Sequence, residues 1–121
     1  MKIRIKGNSI RLRMSKSEVE RFGKEGYLQE STHFGNATFS YALKQADIAN
    51  LGADFQDNTI TVLVPTDIAS EWVSNDIVGF DHNMDLPNGD KLYLLVEKDF
   101  KCLDNTHENQ DDNYEHPKGV C

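Results

Sequence analysis

Proline, cysteine and tryptophan are scarce in this chain of 121 residues, at three, two and one. Both cysteines, Cys102 and Cys121, fall near the end. That is no disulfide framework, and the expectation is a cytoplasmic protein with reduced thiols. No apolar run approaches the roughly 20 residues that cross a bilayer. Nor does a continuous apolar stretch follow the charged N-terminus, as a secretory signal requires. A membrane is therefore not expected among the partners. There is no phosphate loop, no HExxH and no Ser-His-Asp order in a supporting context. These absences remove the catalytic classes that announce themselves by motif. They leave open whether the chain is an enzyme, which cofactor it would use and how many copies assemble.

Basic residues are also scarce, but only beyond residue 24. Residues 1–24 carry eight basic and two acidic side chains, residues 25–96 two and eleven, and residues 97–121 three and seven, for a net charge of −7. Such asymmetry implies an anion-binding face, or a positive element docked on a negative one within the molecule. The length suits one domain with a real core.

Apolar residues at every second position predict the first two strands. Ile3 and Ile5 alternate with Lys2, Arg4 and Lys6. Gly7-Asn8 suits a tight hairpin turn, and Ile10, Leu12 and Met14 then alternate with Arg11 and Arg13. A helix should follow. Ser15 with Glu18 fits a capping box, Val19 and Phe22 share a face, and Gly23 or Gly26 can end it. Fifty residues on, the pattern returns. Ala53 and Phe55, the turn Asp57-Asn58, and Ile60, Val62 and Val64 follow the same order. Thr66 is expected to cap a second short helix, with Ala69 and Trp72 on its apolar face. Ile77-Val78 then answers Tyr27-Leu28, and Gly89 with "KLYLLVE" answers Gly35 with "ATFSYAL".

The expected fold class is α+β: two pseudo-symmetric ββαββ units forming an antiparallel barrel-like body with two short helices. Its domain would span 1–100, with internal repeats at about 1–48 and 51–100. An open sheet with helices on one face is the alternative. Residues 101–121 read as a polar acidic tail with almost nothing to bury.

Two resemblances bear on function. The opening "MKIRIKGNSIRLRMSKSEVERFG" and the closing "LYLLVEKDFKCLDN" resemble a family of small uncharacterised bacterial proteins, which implies no activity. Residues 7–29, "GNSIRLRMSKSEVERFGKEGYLQ", are similar to the swapped-hairpin half-domains of AbrB- and MazE-type transcription regulators and antitoxins. Residues 57–80 echo the outline, with Pro65 at the helix entry. This resemblance implies that two units exchange hairpins to form one barrel-like body gripping DNA with basic residues. The second unit departs from it, with Thr59, Thr61 and Leu63 where a DNA reader would carry basic residues.

The candidate anion-binding residues are Lys2, Arg4, Lys6, Arg11 and Arg13, which should share one hairpin face. They can form a solvated outer face balanced by acidic neighbours such as Asp54 or Glu97. They can instead bind a nucleic-acid backbone, which the acidic remainder of the chain disfavours. Or they can line a barrel lumen and hold a phosphorylated small molecule. For a metal, the tail offers Cys102, His107, His116 and Cys121, but their spacing is unlike the usual zinc loops. His33 and His82 lie in comparable linkers, where they can meet near a pseudo-twofold and share a ligand or, as loop histidines more often do, cap turns. Glu97 and Asp99 are a weak acid–base pair at a strand end. The leading expectation is a small cytosolic, non-catalytic binding or regulatory module using the basic hairpin face. The alternatives are a barrel-lumen phosphate or polyphosphate binder or phosphohydrolase, and an AbrB/MazE-like DNA-binding regulator.

Overall fold

A computed structural model describes residues 1–101 and the pair 114–115. The first hairpin joins β1 (Lys2–Ile5) to β2 (Ser9–Met14), with Gly7 at φ +55° in its turn. Helix α1 (Lys16–Glu25) leads to a second hairpin of β3 (Tyr27–His33) and β4 (Thr38–Ala46). The third hairpin joins β5 (Gly52–Gln56) to β6 (Thr59–Pro65). Its turn residues Asp57 and Asn58 both take positive φ, the geometry that keeps a two-residue turn in step with strand twist. Helix α2 (Thr66–Trp72) precedes the last hairpin, β7 (Gly79–Asp85) and β8 (Lys91–Lys98). Beyond it, β9 (Phe100–Lys101) pairs in parallel with β10 (Tyr114–Glu115).

The eight main strands form two four-stranded sheets, in the orders β1-β2-β8-β7 and β3-β4-β6-β5. Each sheet takes one hairpin from each half of the chain. The hairpins are antiparallel, but they join through parallel pairs, β2 with β8 and β4 with β6. This corrects two expectations. The body is not antiparallel throughout, and among the described residues no ladder closes it into a barrel. Pairing stops at β1 and β7 in one sheet and at β3 and β5 in the other. Isolated contacts join the two sheets near these edges instead. The Ala53 amide donates to Met84 Sδ at 3.3 Å, and the Tyr41 hydroxyl donates to the Met1 carbonyl at 2.9 Å.

The space between the sheets is filled with apolar side chains. Ile10, Leu12, Met14, Leu94 and Val96 from one sheet meet Leu28, Leu43, Ile60, Val62 and Val64 from the other, all buried. Helix α1 begins at the expected capping box, where Ser15 Oγ accepts from the Glu18 amide and Glu18 accepts from the Ser15 amide at 2.8 Å. It ends at Gly26, φ +72°, in the left-handed region. Gly23 does not end the helix but lies within it, where a Cβ would be 2.6 Å from Val73 Cγ2 just beyond α2. Thr66 does not cap α2, contrary to expectation. It is the first residue of the helix, and its hydroxyl donates to the Ala46 carbonyl at 3.1 Å. Trp72 is buried, donates Nε1–H to the Ile77 carbonyl at 3.1 Å and meets Phe80 edge-on at 5.0 Å. Phe80, not Val78, is the inward apolar residue here: it lies opposite Val96, while Val78 is exposed and precedes the strand.

Candidate anion-binding face

On β2 every second residue is buried, so Arg11 and Arg13 must point to the opposite, outer side. In the β1–β2 ladder Lys2 stands opposite Arg13 and Arg4 opposite Arg11. Residues paired across an antiparallel ladder share a face, so Lys2 and Arg4 join the arginines. Lys6 continues the alternation at the turn, its amide bonded to the Ser9 carbonyl at 3.2 Å. Lys2, Arg4, Arg11 and Arg13 therefore share the outer face of the sheet, as the alternation predicts, and Lys6 follows just beyond β1, at the turn. Lys2, Ile3, Arg4, Arg11 and Arg13 line an open depression of about 320 Å³ there. The lumenal placement is corrected. The sheet's other face is packed core, and Arg11 and Arg13 keep 32% and 42% of their side-chain surface in solvent.

The neighbouring strand supplies the balancing charge. Glu97 on β8 stands beside Arg13 in the parallel register. Its Oε1 accepts from Arg11 Nε at 2.7 Å and from Arg13 Nε at 2.6 Å. Lys2 Nζ lies 3.1 Å from Asp99 Oδ2. These contacts engage both carboxylates of the weak acid–base pair. Asp54, the other suggested neighbour, sits on β5 in the opposite sheet. Among the described residues, Arg4 and Lys6 have no ion pair. Across β8 the face turns acidic: Tyr93 donates to Asp81 at 2.8 Å, and Lys91 pairs with Asp85. The Asp81 hydrogen bond, with some burial, pushes the Tyr93 hydroxyl up. Lys91 holds the Asp85 carboxyl down.

The outer face of the second sheet is different. Thr59, Thr61 and Leu63 lie beside Ser40, Ala42 and Lys44, and Ser31 and Ser40 share a hydroxyl contact at 2.8 Å. It carries no basic cluster to match the first sheet.

Two charged features escaped sequence reasoning. The Met1 ammonium pairs with Glu18 and lies 3.4 Å from Glu30, which also accepts from the Tyr41 hydroxyl at 3.0 Å. Burial is the largest influence on Glu18 and pushes it up. The ammonium and the Ser15 hydrogen bonds outweigh it, so the carboxyl sits below its ordinary value. Lys98 is buried, donates Nζ–H to the Asn75 carbonyl at 2.9 Å and lies 5.8 Å from the Trp72 ring centroid. Only the apolar context of "LYLLVEK" could have hinted at its burial.

Cys102, His107, His116 and Cys121 lie outside the described residues. Among the described residues no three His, Cys, Asp or Glu side chains are grouped to hold a metal. Neither histidine lies in a linker: His33 ends β3, its Nδ1 3.1 Å from Thr38 Oγ1, and His82 stands within β7 opposite Leu94. No described helix is long and apolar enough to cross a membrane.

A family model described as a family of unknown function, DUF7009, matches residues 1–118. The chain belongs to that family. Membership in DUF7009 agrees with the resemblance to a small uncharacterised family and assigns no residue a role. The likeness to AbrB- and MazE-type half-domains is not part of this result. No curated protein and no solved structure matches the chain.

Proposed function

We propose that this chain is a non-catalytic binding or regulatory module whose basic hairpin face receives an anionic partner. One observation carries the proposal. Lys2, Arg4, Arg11 and Arg13 lie on the solvent side of one sheet, with Lys6 next to them at the hairpin turn, balanced nearby by Glu97 and Asp99. An outward face suits a macromolecule. A phosphate compound held inside the body would have to displace packed core, so the lumenal binder and the phosphohydrolase lose their support.

The AbrB/MazE-like reading keeps one specific observation in its favour. Each sheet is built from hairpins of both halves, the exchange that the resemblance implies. The registers support an internal duplication once its last strand is moved by one residue: the sequence pattern sets Leu94 against Ser40, but Ile10 pairs with Leu94 in one sheet and Ile60 with Tyr41 in the other. We therefore read the chain as two ββαββ units. DNA binding gains less, because only one of the two outer faces is basic.

The test is a binding and thermal-shift titration of the full chain with phosphate, triphosphate, a short DNA duplex and an acidic peptide. The double variant Arg4→Ala/Arg13→Ala is run beside it. A response that the double variant loses is expected. Absence of any response, or one that the double variant keeps, refutes the proposal.

A further inference from the structure

The basic face ends at β1, whose outer edge pairs with no strand among the described residues, and that edge specifies the partner further. In the β1–β2 hairpin the Lys6 amide donates to the Ser9 carbonyl. Antiparallel ladders alternate, so Arg4 and Lys2 also turn their backbone groups toward β2. Ile3 and Ile5 must then turn their N–H and C=O groups away from it. No strand lies beyond β1 among the described residues. The Ile5 side chain, on the face opposite the basic residues, is 53% exposed.

Resting on the function proposed above, we infer that the partner is an extended acidic peptide segment that adds to β1 as a fifth strand. Such a strand lies about 4.8 Å from β1 and pairs with the edge groups of Ile3 and Ile5. Its side chains alternate between the two faces. Acidic residues would meet Arg4 and Lys6 on the outer face, and β-branched residues would meet Ile3 and Ile5 on the inner one. A second copy of β1 does not fit, because it would set basic residues opposite basic residues. A nucleic-acid backbone fits less well. It offers no amides for the edge carbonyls and nothing apolar for Ile5, and Glu97 stands among the arginines.

The probe is a ten-residue synthetic peptide alternating glutamate and valine, titrated into the full chain. Its controls are a version with the glutamates clustered and one N-methylated at alternate amides. A short DNA duplex is titrated in parallel. The protein variants are Arg4→Glu and Ile5→Pro. Proline is tolerated where its missing N–H would face outward from an edge strand, and circular dichroism checks that the fold is kept. Hydrogen exchange offers a readout independent of affinity: the Ile3 and Ile5 amides should exchange fast alone and slow with the peptide.

The alternating peptide should bind at least ten-fold tighter than the clustered one. N-methylation, Arg4→Glu and Ile5→Pro should each weaken it at least ten-fold. If the clustered peptide binds equally well, or Ile5→Pro and N-methylation change nothing while Arg4→Glu abolishes binding, edge addition is refuted and the basic-face reading stands. Salt-sensitive DNA binding without peptide binding also overturns the inference. If no anionic probe responds, both proposals fail.

Discussion

Glu97→Gln isolates the electrostatics of the face, because it removes one charge and keeps the shape. The carboxylate holds two guanidinium groups at once, with nitrogen–oxygen distances of 2.5 Å to Arg11 and 2.6 Å to Arg13. Charge centres about 4 Å apart attract by about 4 kcal/mol at an effective dielectric of 20, before any desolvation cost. Solvent reduces that figure sharply. The arginines are 32% and 42% exposed, and pairs of this kind contribute about 0–1 kcal/mol each. Glu97 is only 13% exposed, so its own desolvation cancels part of the gain. Removing its charge also leaves Arg11 and Arg13 repelling each other across one strand repeat.

The net expectation is a loss of about 1–2 kcal/mol, read by urea denaturation at low salt. Added salt should shrink the loss, because it screens the Arg11–Arg13 repulsion. Affinity should move the other way. Without its internal counter-charge the face should bind the acidic peptide more tightly than the wild type does. An unchanged stability, or a loss that grows with salt, would show that Glu97 is no electrostatic hub.

Phe22→Ala and Trp72→Ala should each cost about 3–5 kcal/mol, since both side chains are buried between the helices and the sheets; a neutral melting curve for either would contradict that packing. Gly79→Ala should destabilise by about 1–3 kcal/mol, because its Cβ would lie 2.4 Å from the Val96 carbonyl oxygen and 2.7 Å from Glu97 Cβ; wild-type denaturation would refute this. Burial, then the Glu30 hydrogen bond and charge, push the Tyr41 hydroxyl from 10.0 up to about 12. Its contribution is intact below pH 10 and lost as the pH rises toward about 12, so Tyr41→Phe should flatten the alkaline fall in melting temperature. Lys98 acts in the opposite sense: burial pushes it below 10.5, so the folded chain releases that proton first and stability gains as the pH climbs toward 10.5. Lys98→Met should remove that gain, and an unchanged pH profile would show the ammonium to be solvated.

Local features were legible in the sequence wherever one residue's geometry decides the outcome. Ser15 and Glu18 specify a helix start through reciprocal side-chain-to-backbone hydrogen bonds, and Gly26 ends the helix because it accepts a positive φ. Alternation placed Arg11 and Arg13 opposite Leu12 and Met14. Alternation cannot say whether the polar side of a strand meets solvent or a lumen, so the stripe's direction needed the partner sheet. The same limit hid the parallel pairs. A strand's pattern is identical whichever neighbour it takes, and β2 finds β8 more than eighty residues away. Thr66 misled because threonine is both a good N-cap and a good donor to a nearby carbonyl. Here Pro65 ends β6 at the helix entry, and the hydroxyl turns back to Ala46.

Building each sheet from both halves has a consequence for how the basic face is held. The inner residues of the first hairpin, Ile10 and Leu12, are covered by Leu94 and Val96 on the last one and by the facing sheet. Neither half can bury those residues alone, so burial couples the two ends of the chain. The same pairing brings Glu97 beside Arg11 and Arg13. The face's counter-charge is thus delivered by the most distant strand in the body, and only when both sheets are complete. A hairpin with five basic residues is strained by self-repulsion while it stands alone. It becomes tolerable when β8 docks, and it keeps Arg4 and Lys6 without an ion pair among the described residues. The positive stripe in an acidic chain is therefore partly an internal docking element and partly a surplus. That surplus, beside an edge unpaired among the described residues, is what the proposed acidic strand would meet.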